Sequence, residues 1–343
     1  MKRLCILVLA CSAALSAADK KIVIRALSGG FAYDANAIAL YKKAAGKDAD
    51  IVAAKSQEQF AKEIVDAHGI VGGINEEQFA TAKNLQWVQA TSAGVENFAF
   101  WPEFMKSEVQ LTNCKVVQGP TIGDHAFALL LALTRGLHVY IPSKEQAAWK
   151  SRADAPKVMT ELPGMTAVVI GAGGLGTQIA QRANGFGMRV IGVDPKDIPV
   201  SNFFPRIVKP DQLDEVLPLA DVVFVAAPLT PQSENMINSK QFDLMKKGAF
   251  FIAVSRGRLY NKGALVKALD SQKLAGAGLD VTDPEPLPKD DALWKFDNVV
   301  ITPHVASHAK GSDDRRLGVI TGNVGRFARG EPLTHVVNKA VGY

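Results

Sequence analysis

Three side chains with complementary chemistry follow apolar runs in the second half of the sequence. Arg256 follows the run AFFIAVS, Glu285 lies in the segment TDPEPLP, and His304 follows NVVITP. A guanidinium can bind a carboxylate through two parallel hydrogen bonds, and an imidazolium beside a carboxylate can donate a proton near neutral pH. This combination suits hydride transfer to a 2-oxo acid, whose carboxylate must be anchored and whose carbonyl oxygen must gain a proton.

Each of these residues also has a structural alternative. Arg256 could neutralise a sheet edge, Glu285 could be a loop charge between two prolines, and His304 could be a structural histidine. We interpret the remaining histidines as structural, namely His68, His125, His138, His308 and His335.

The segment GAGGLG, at residues 171–176, predicts a dinucleotide site because it joins a buried strand to a helix. Gly171 permits a tight turn, Gly173 lets a pyrophosphate approach the backbone, and Gly176 lets the helix lie close to the strand. Asp194 ends the next strand, where an acid binds the ribose hydroxyls of NAD. The alternative is a purely structural turn. The predicted cofactor contacts in this unit are Gly171, Gly173, Gly174, Leu175, Gly176 and Asp194.

Short apolar runs alternate with helical segments beyond residue 164 and predict a doubly wound parallel sheet. Ligands bind at the carboxyl ends of the strands in such a sheet. Pro228 and Thr230 follow one strand and Asp280 ends another, so they are candidate site residues, although Asp280 could instead cap a turn. The predicted strands are 165–170, 188–193, 206–208, 221–226, 249–254, 275–280 and 298–302.

The chain of 343 residues is longer than one hydrophobic core usually serves, which is ~250–300 residues, so two domains are expected. We predict an α/β fold with two Rossmann-like domains. A substrate domain spans 19–118 and is completed by 308–343, and an NAD-binding domain spans 119–307. The apolar segment 121–137 predicts a buried crossover helix, and 141–163 reads as a connecting segment.

The first residues have the pattern of a secretory signal peptide. Lys2 and Arg3 precede an apolar stretch that ends in small residues at Ala18, before the charged Asp19. This stretch is short for a membrane helix, which needs ~20 residues, so no stable membrane span is predicted. We expect cleavage after Ala18 and a secreted or periplasmic protein. The alternatives are an uncleaved anchor or an extension from a wrongly chosen start codon, and the protein would be cytoplasmic if the leader is not used.

Several motifs occur in an order that resembles the D-isomer-specific 2-hydroxyacid dehydrogenase family. They are GAGGLG with Asp194, PLTPQSENMIN at 228–238, SRGRLYNKGAL at 255–265, GLDVTDPEPLP at 278–288 and TPHVAS at 302–307. The resemblance spans about residues 87–338. The sequence departs from it in the pair Asp124-His125, where relatives usually have Glu-His, and in the leader, which is foreign to a mostly cytosolic family.

The resemblance implies a role for each site residue. Arg256 binds the carboxylate and carbonyl oxygen of the substrate, His304 is the acid/base, and Glu285 holds and charges His304. Asp280 faces the nicotinamide, and the backbone amides of Ala93 and Gly94 also hold the carboxylate. The family further implies a homodimer and cofactor contacts at Pro228, Thr230, Ser255, Asp280 and His304.

The functional expectation is an NAD-dependent oxidoreductase that interconverts a small 2-oxo acid and its D-2-hydroxy acid. The alternative is a nicotinamide-sensing binding protein or corepressor on the same fold. The formal charge of +5 is scattered without basic runs, which argues against a nucleic-acid partner. No metal site is predicted.

Overall fold

A computed structural model describes residues 20–27, 30–115, 117–151, 156 and 159–342. The predicted signal peptide, 1–18, lies outside these described residues. The strands form two parallel sheets and alternate with helices, which confirms the α/β class with two Rossmann-like folds. The strands are β1 (Lys21–Arg25), β2 (Asp50–Ala54), β3 (Gly69–Val71), β4 (Trp87–Gln89), β5 (Gln110–Thr112), β6 (Thr166–Ile170), β7 (Arg189–Val193), β8 (Arg206–Val208), β9 (Val222–Val225), β10 (Ala249–Ala253), β11 (Leu274–Leu279) and β12 (Val299–Ile301).

Most helices lie between successive strands, as parallel crossovers require. They are α1 (Ala35–Ala45), α2 (Gln57–Glu63), α3 (Glu76–Thr81), α4 (Glu96–Ala99), α5 (Pro102–Lys106), α6 (Gly119–Thr134), α7 (Leu137–Glu145), α8 (Gly174–Gly185), α9 (Leu213–Val216), α10 (Ser239–Leu244), α11 (Lys262–Asp270) and α12 (Lys310–Arg329).

The chain divides into two compact units. The first contains the residues up to Thr91 with Glu108–Thr112 and Leu317–Val336, and the second contains Ser92–Ser107, Asn113–Arg316 and Val337–Tyr343. The predicted domain bounds at residues 118 and 308 stay a prediction.

The first unit is built on a five-stranded sheet with the order β2-β1-β3-β4-β5. Trp87 is fully buried in β4, and its indole N–H donates to the Thr112 hydroxyl of β5 at 2.8 Å. Asn323, also buried, donates its amide to the side-chain oxygen of Gln89 at 2.8 Å. These polar side chains can be buried because each has a hydrogen-bond partner, and they fix α12 to the sheet.

The second unit is built on a seven-stranded sheet with the order β12-β11-β10-β9-β6-β7-β8. The strand order reverses between β6 and β9, and this switch point is where doubly wound sheets bind ligands. The residues of β6 and β10 are buried throughout, as expected for strands with both faces covered. Helix α6 packs on this sheet, where the ring of Phe127 stacks on Phe224 with a centroid distance of 5.3 Å.

The seven strands predicted beyond residue 164 are all present, within one or two residues at each end. The sequence does not predict β2 or β5, and it places residues 141–145 of α7 in a connecting segment. Helix α7 contains Pro142, which normally argues against a helix interior.

Among the described helices, none is by itself long and apolar enough to span a membrane. Helices α6 and α7 together meet the length and composition requirement, but they are bent by 78° relative to each other.

Candidate active site

The predicted site residues of the second unit lie at one edge of its sheet. The sheet is parallel, so the carboxyl ends of all its strands meet there. The residues follow these strands in turn: GAGGLG after β6, Asp194 after β7, Pro228 and Thr230 after β9, Ser255 and Arg256 after β10, Asp280 after β11, and His304 after β12.

The glycine-rich turn has the shape that a pyrophosphate requires. Gly171 has φ +93°, and a Cβ there would lie 2.6 Å from the backbone nitrogen of Ala227. A Cβ at Gly176 would lie 1.9 Å from the carbonyl oxygen of Gly171, so the helix can approach the strand only with glycine. At Gly173 no atom lies within 4 Å of the added Cβ position, which leaves open space at the N-terminus of α8. Gly174 and Leu175 form the first turn of that helix, whose amides are free of helical partners.

Asp194 connects this turn to the end of β7. It is 7% exposed, and its two carboxylate oxygens accept the backbone N–H groups of Ala172 and Lys196, each at 2.9 Å. A carboxylate fixed in this position fits the ribose diol of a dinucleotide whose phosphates lie at the glycine-rich turn. The residues present therefore fit a bound dinucleotide.

The predicted contact residues after β9 and β10 are held in place by hydrogen bonds. The Ser233 hydroxyl donates to the carbonyl oxygen of Pro228 at 2.7 Å and accepts the N–H of Thr230 at 2.9 Å. The Ser255 hydroxyl donates to the carbonyl oxygen of Val225 at 3.1 Å. These bonds fix the loops at the switch point. Contacts from Pro228, Thr230 and Ser255 to the cofactor stay predictions.

His304 and Glu285 form a hydrogen-bonded pair. The Nδ1 atom of His304 lies 2.7 Å from Oε2 of Glu285, and the other carboxylate oxygen accepts the N–H of Thr282 at 3.0 Å. His304 has φ +54°, which is uncommon for a residue with a side chain, and its N–H is held by the carbonyl oxygen of Asp280 at 2.9 Å. The Nε2 atom of His304 has no partner among the described residues. The pair therefore presents one ring nitrogen that can exchange a proton.

Asp280 organises the loop that carries His304. Its buried carboxylate accepts the Thr302 hydroxyl at 2.6 Å and the N–H groups of Val305 and Ala306 at 2.9 and 3.0 Å. The Thr302 oxygen also lies 2.8 Å from Nε2 of His125 on α6. Because the Thr302 proton goes to Asp280, His125 must be the donor in the second contact. The structure thus gives Asp280 a loop-fixing role, and its predicted position beside the nicotinamide stays a prediction.

Arg256 lies against the loop SAGVE, residues 92–96, which contains Ala93 and Gly94. Its guanidinium donates from Nε and Nη2 to the two carboxylate oxygens of Glu96, at 2.8 and 3.2 Å. A Cβ at Gly94 would lie 1.6 Å from Nη2, so the loop backbone lies directly on the guanidinium. The N–H groups of Ala93 and Gly94 donate to no acceptor in the part of the chain that the structure describes. Both amides are therefore available to an anion.

The Arg256 loop and the Glu285 loop are packed together. A Cβ at Gly257 would lie 2.1 Å from the carbonyl oxygen of Thr282, the residue whose N–H binds Glu285. The Tyr260 hydroxyl donates to the carbonyl oxygen of Val281 at 2.8 Å, and burial raises the pKa of this phenol. The arginine, glutamate and histidine are therefore carried by loops in direct contact.

Two residues of this site have contacts that the sequence does not indicate. The sequence assigns no function to Glu96, and it favours a structural role for His125. Their partners lie 160 and 177 residues away in the chain, so no local pattern could have indicated either contact. Across the described ranges, no group of three His, Cys, Asp or Glu side chains is placed to bind a metal.

Comparisons with known proteins show to which family this chain is similar. Residues 127–306 match the NAD-binding domain of the D-isomer-specific 2-hydroxyacid dehydrogenases. A glyoxylate reductase from Korarchaeum cryptofilum is 35% identical over 271 residues, which are 78% of this chain and 80% of the relative.

Two solved structures have the same fold. A D-isomer-specific 2-hydroxyacid dehydrogenase family protein from Aeromonas salmonicida has a TM-score of 0.78 at 30% identity, covering 94% of this chain and 99% of that one. An NADPH-dependent glyoxylate/hydroxypyruvate reductase from Sinorhizobium meliloti has a TM-score of 0.78 at 23% identity, covering 94% and 100%. The family-model match and the 35% identity together show that this chain belongs to the D-isomer-specific 2-hydroxyacid dehydrogenase family.

Proposed function

We propose that this chain is an NAD-linked dehydrogenase that interconverts a small 2-oxo acid and its D-2-hydroxy acid. Glyoxylate, hydroxypyruvate and pyruvate are the substrates of the right size and chemistry. The observation that carries the proposal is the 2.7 Å contact between His304 and Glu285 at the sheet edge that also bears the glycine-rich turn. A proton donor and a dinucleotide cradle at one edge are the two parts that carbonyl reduction needs.

Each site residue has a separate role in the reduction. The bound dinucleotide would supply the hydride, held by the first turn of α8 and by Asp194. Nε2 of His304 donates the proton to the carbonyl oxygen, while Glu285 accepts the Nδ1–H and stabilises the imidazolium that reduction requires. The guanidinium of Arg256 and the amides of Ala93 and Gly94 bind the substrate carboxylate. In the oxidative direction, neutral His304 accepts the proton instead.

The coenzyme is proposed to be NAD because of Asp194. Its carboxylate can accept hydrogen bonds from both ribose hydroxyls, whereas the 2′-phosphate of NADP would bring a second negative charge against it. The Sinorhizobium meliloti protein of the same fold is NADPH-dependent. The ratio of kcat/KM values with NADH and NADPH tests this proposal.

The alternative function is a nicotinamide-sensing binding protein or corepressor. It would keep the dinucleotide cradle but would not need the His304–Glu285 pair. The decisive experiment follows the loss of NADH absorbance with glyoxylate, hydroxypyruvate, pyruvate and larger 2-oxo acids. Turnover with at least one of these acids supports the dehydrogenase, whereas dinucleotide binding without turnover supports the sensor.

A further inference from the structure

Glu96 binds Arg256 through a pair of hydrogen bonds on one side of the guanidinium. Nε donates to Oε1 at 2.8 Å and Nη2 donates to Oε2 at 3.2 Å. The two side chains are 23% and 29% exposed, so the pair is only partly accessible to water. We infer that Glu96 is a positioning residue that holds the Arg256 fork ready for the carboxylate of the 2-oxo acid. This inference rests on the proposed function, since it assumes that Arg256 binds that carboxylate.

The hydrogen bonds of Arg256 leave a pair of donors available. A guanidinium has five N–H groups. Two of them bind Glu96, and a third, on Nη1, donates to the carbonyl oxygen of Ser255 at 2.7 Å. No other acceptor for Arg256 occurs within the described residues, so one N–H remains on Nη1 and one on Nη2. A carboxylate can accept two such N–H groups in parallel. Glu96 therefore fixes the fork without using both of its terminal donors.

The loop that carries Glu96 is itself held in place. Asn113 donates its side-chain amide to the carbonyl oxygen of Ala93 at 2.7 Å, and the Ser92 hydroxyl donates to that of Gly94 at 2.7 Å. The N–H of Cys114 donates to the carbonyl oxygen of Ser92 at 2.9 Å. Glu96 then begins helix α4. Because its loop is anchored by Asn113 and Cys114 and braced by an internal hydrogen bond, Glu96 can restrict the rotamers of Arg256 rather than follow them.

The alternative is that Glu96 competes with the substrate for the guanidinium and repels the substrate carboxylate. The two readings predict opposite changes in KM when Glu96 is removed. A positioning residue lowers KM, because a free arginine must lose rotamer freedom each time it binds. A competitor raises KM, so its removal would improve substrate binding.

The test measures steady-state kinetics with NADH for wild type, Glu96→Ala and Glu96→Gln. We expect Glu96→Ala to raise KM for the 2-oxo acid by ~10-fold or more, the scale of one charge-assisted hydrogen bond. Both kcat and the Kd of NADH should change by less than ~3-fold, since the lost contact orients only the carboxylate anchor. The KM of Glu96→Gln should lie between those of wild type and Glu96→Ala, because the amide oxygen of glutamine can replace only one of the two acceptors.

A neighbouring pair gives the matched control. Arg258 donates from Nε to Glu234 at 2.9 Å, in the same loop region but without contact to the proposed anchor. Glu234→Ala should leave KM within ~2-fold of wild type, as loss of an exposed pair usually does. An unchanged or lowered KM in Glu96→Ala would overturn the inference. So would a rise in KM that Glu234→Ala reproduces.

Binding of oxamate, an unreactive analogue of a 2-oxo acid, separates this inference from the proposed function. Calorimetry in the presence of NADH would measure its affinity for wild type and Glu96→Ala. If wild type binds oxamate but reduces no 2-oxo acid, the proposed function fails while weaker oxamate binding by Glu96→Ala still supports the role of Glu96. If the two proteins bind oxamate equally, or neither binds it, the positioning role is wrong.

Discussion

The Nδ1 atom of His304 lies 2.7 Å from a Glu285 oxygen whose partner oxygen is held by the N–H of Thr282 at 3.0 Å. These contacts orient the imidazole through Nδ1 and leave Nε2 as the reacting nitrogen. It also fixes the tautomer of neutral His304, because Nδ1 must carry the proton that Glu285 accepts. The predictions for the two residues follow from this division of roles.

His304→Ala should lower turnover of the 2-oxo acid by ~10²–10⁴-fold, the usual contribution of a general acid. The Kd of NADH should change little, because the dinucleotide cradle after β6 and β7 is untouched. His308→Ala is the control, since His308 is an exposed histidine four residues further along the chain. Turnover of His304→Ala within ~3-fold of wild type would exclude His304 as the proton donor.

Glu285→Gln should narrow the pH range of reduction at its alkaline end. The glutamine oxygen can still accept a hydrogen bond, but it lacks the negative charge that favours the imidazolium. Since reduction consumes the protonated form of His304, its rate should begin to fall at a lower pH than in wild type. Oxidation of the 2-hydroxy acid uses the neutral form and should begin to rise at a lower pH. Superimposable pH–rate profiles of the two proteins would contradict the pairing.

Cys114 should be unreactive in the folded protein. Its side chain is fully buried, and burial raises the pKa of this thiol to about 12. Only the thiolate is nucleophilic, and at pH 8 a pKa of about 12 leaves ~1 thiol in 10⁴ ionised. In a chain beginning at Asp19, iodoacetamide at pH 8 should label Cys114 only after denaturation. Stoichiometric labelling of the native protein, detected by intact mass, would show that the thiol is accessible.

The parts of the site that the sequence predicted are those built within one strand, turn and helix. The glycine-rich turn and Asp194 form contacts over about 20 residues, and their spacing alone indicates a dinucleotide. The roles of Arg256, Glu285 and His304 came from the order of motifs, and the structure joins Glu285 to His304 directly. Glu96 could not be assigned in this way, because its partner is 160 residues away and its own segment has no distinctive pattern.

Two elements of the fold have local sequences that do not indicate them. Strand β2 has only a short apolar run, and it forms because it pairs in register with β1, from Lys21 opposite Asp50 to Arg25 opposite Ala54. Helix α7 contains Pro142, so local propensity argues against it. In β2, pairing with β1 outweighs a weak local preference. In α7 only Ser143 is buried, so burial does not explain why this helix forms in spite of Pro142.

The leader predicts a shortened protein outside the cytoplasm. Made with its native N-terminus in a secreting host, the protein should begin near Asp19, because Ser16 and Ala18 are the small residues that a signal peptidase requires. Intact-mass measurement on the fractionated host checks this. A cytosolic protein that retains Met1 would contradict export, and it would leave the dehydrogenase proposal unaffected.

Asp194→Ser should reduce the preference of the enzyme for NADH over NADPH. In the wild type we expect a preference of at least ~10-fold in kcat/KM, equivalent to ~1.4 kcal/mol, because the buried carboxylate would face the 2′-phosphate. We do not expect NADPH to be excluded completely. Lys209 is paired with Asp197 at 2.5 Å, but Lys196 lies two residues after Asp194 and can offer a positive charge to the 2′-phosphate.

The substitution should act in two ways, since serine can still donate and accept a hydrogen bond but carries no charge. Efficiency with NADH should fall as ribose contacts are lost, and efficiency with NADPH should rise as the repulsion is removed. The measurement is the ratio of kcat/KM values with the two coenzymes at one salt concentration, because surface charges such as Lys196 are screened by salt. Either a wild type that prefers NADPH or a ratio unchanged by Asp194→Ser would show that Asp194 does not bind the ribose.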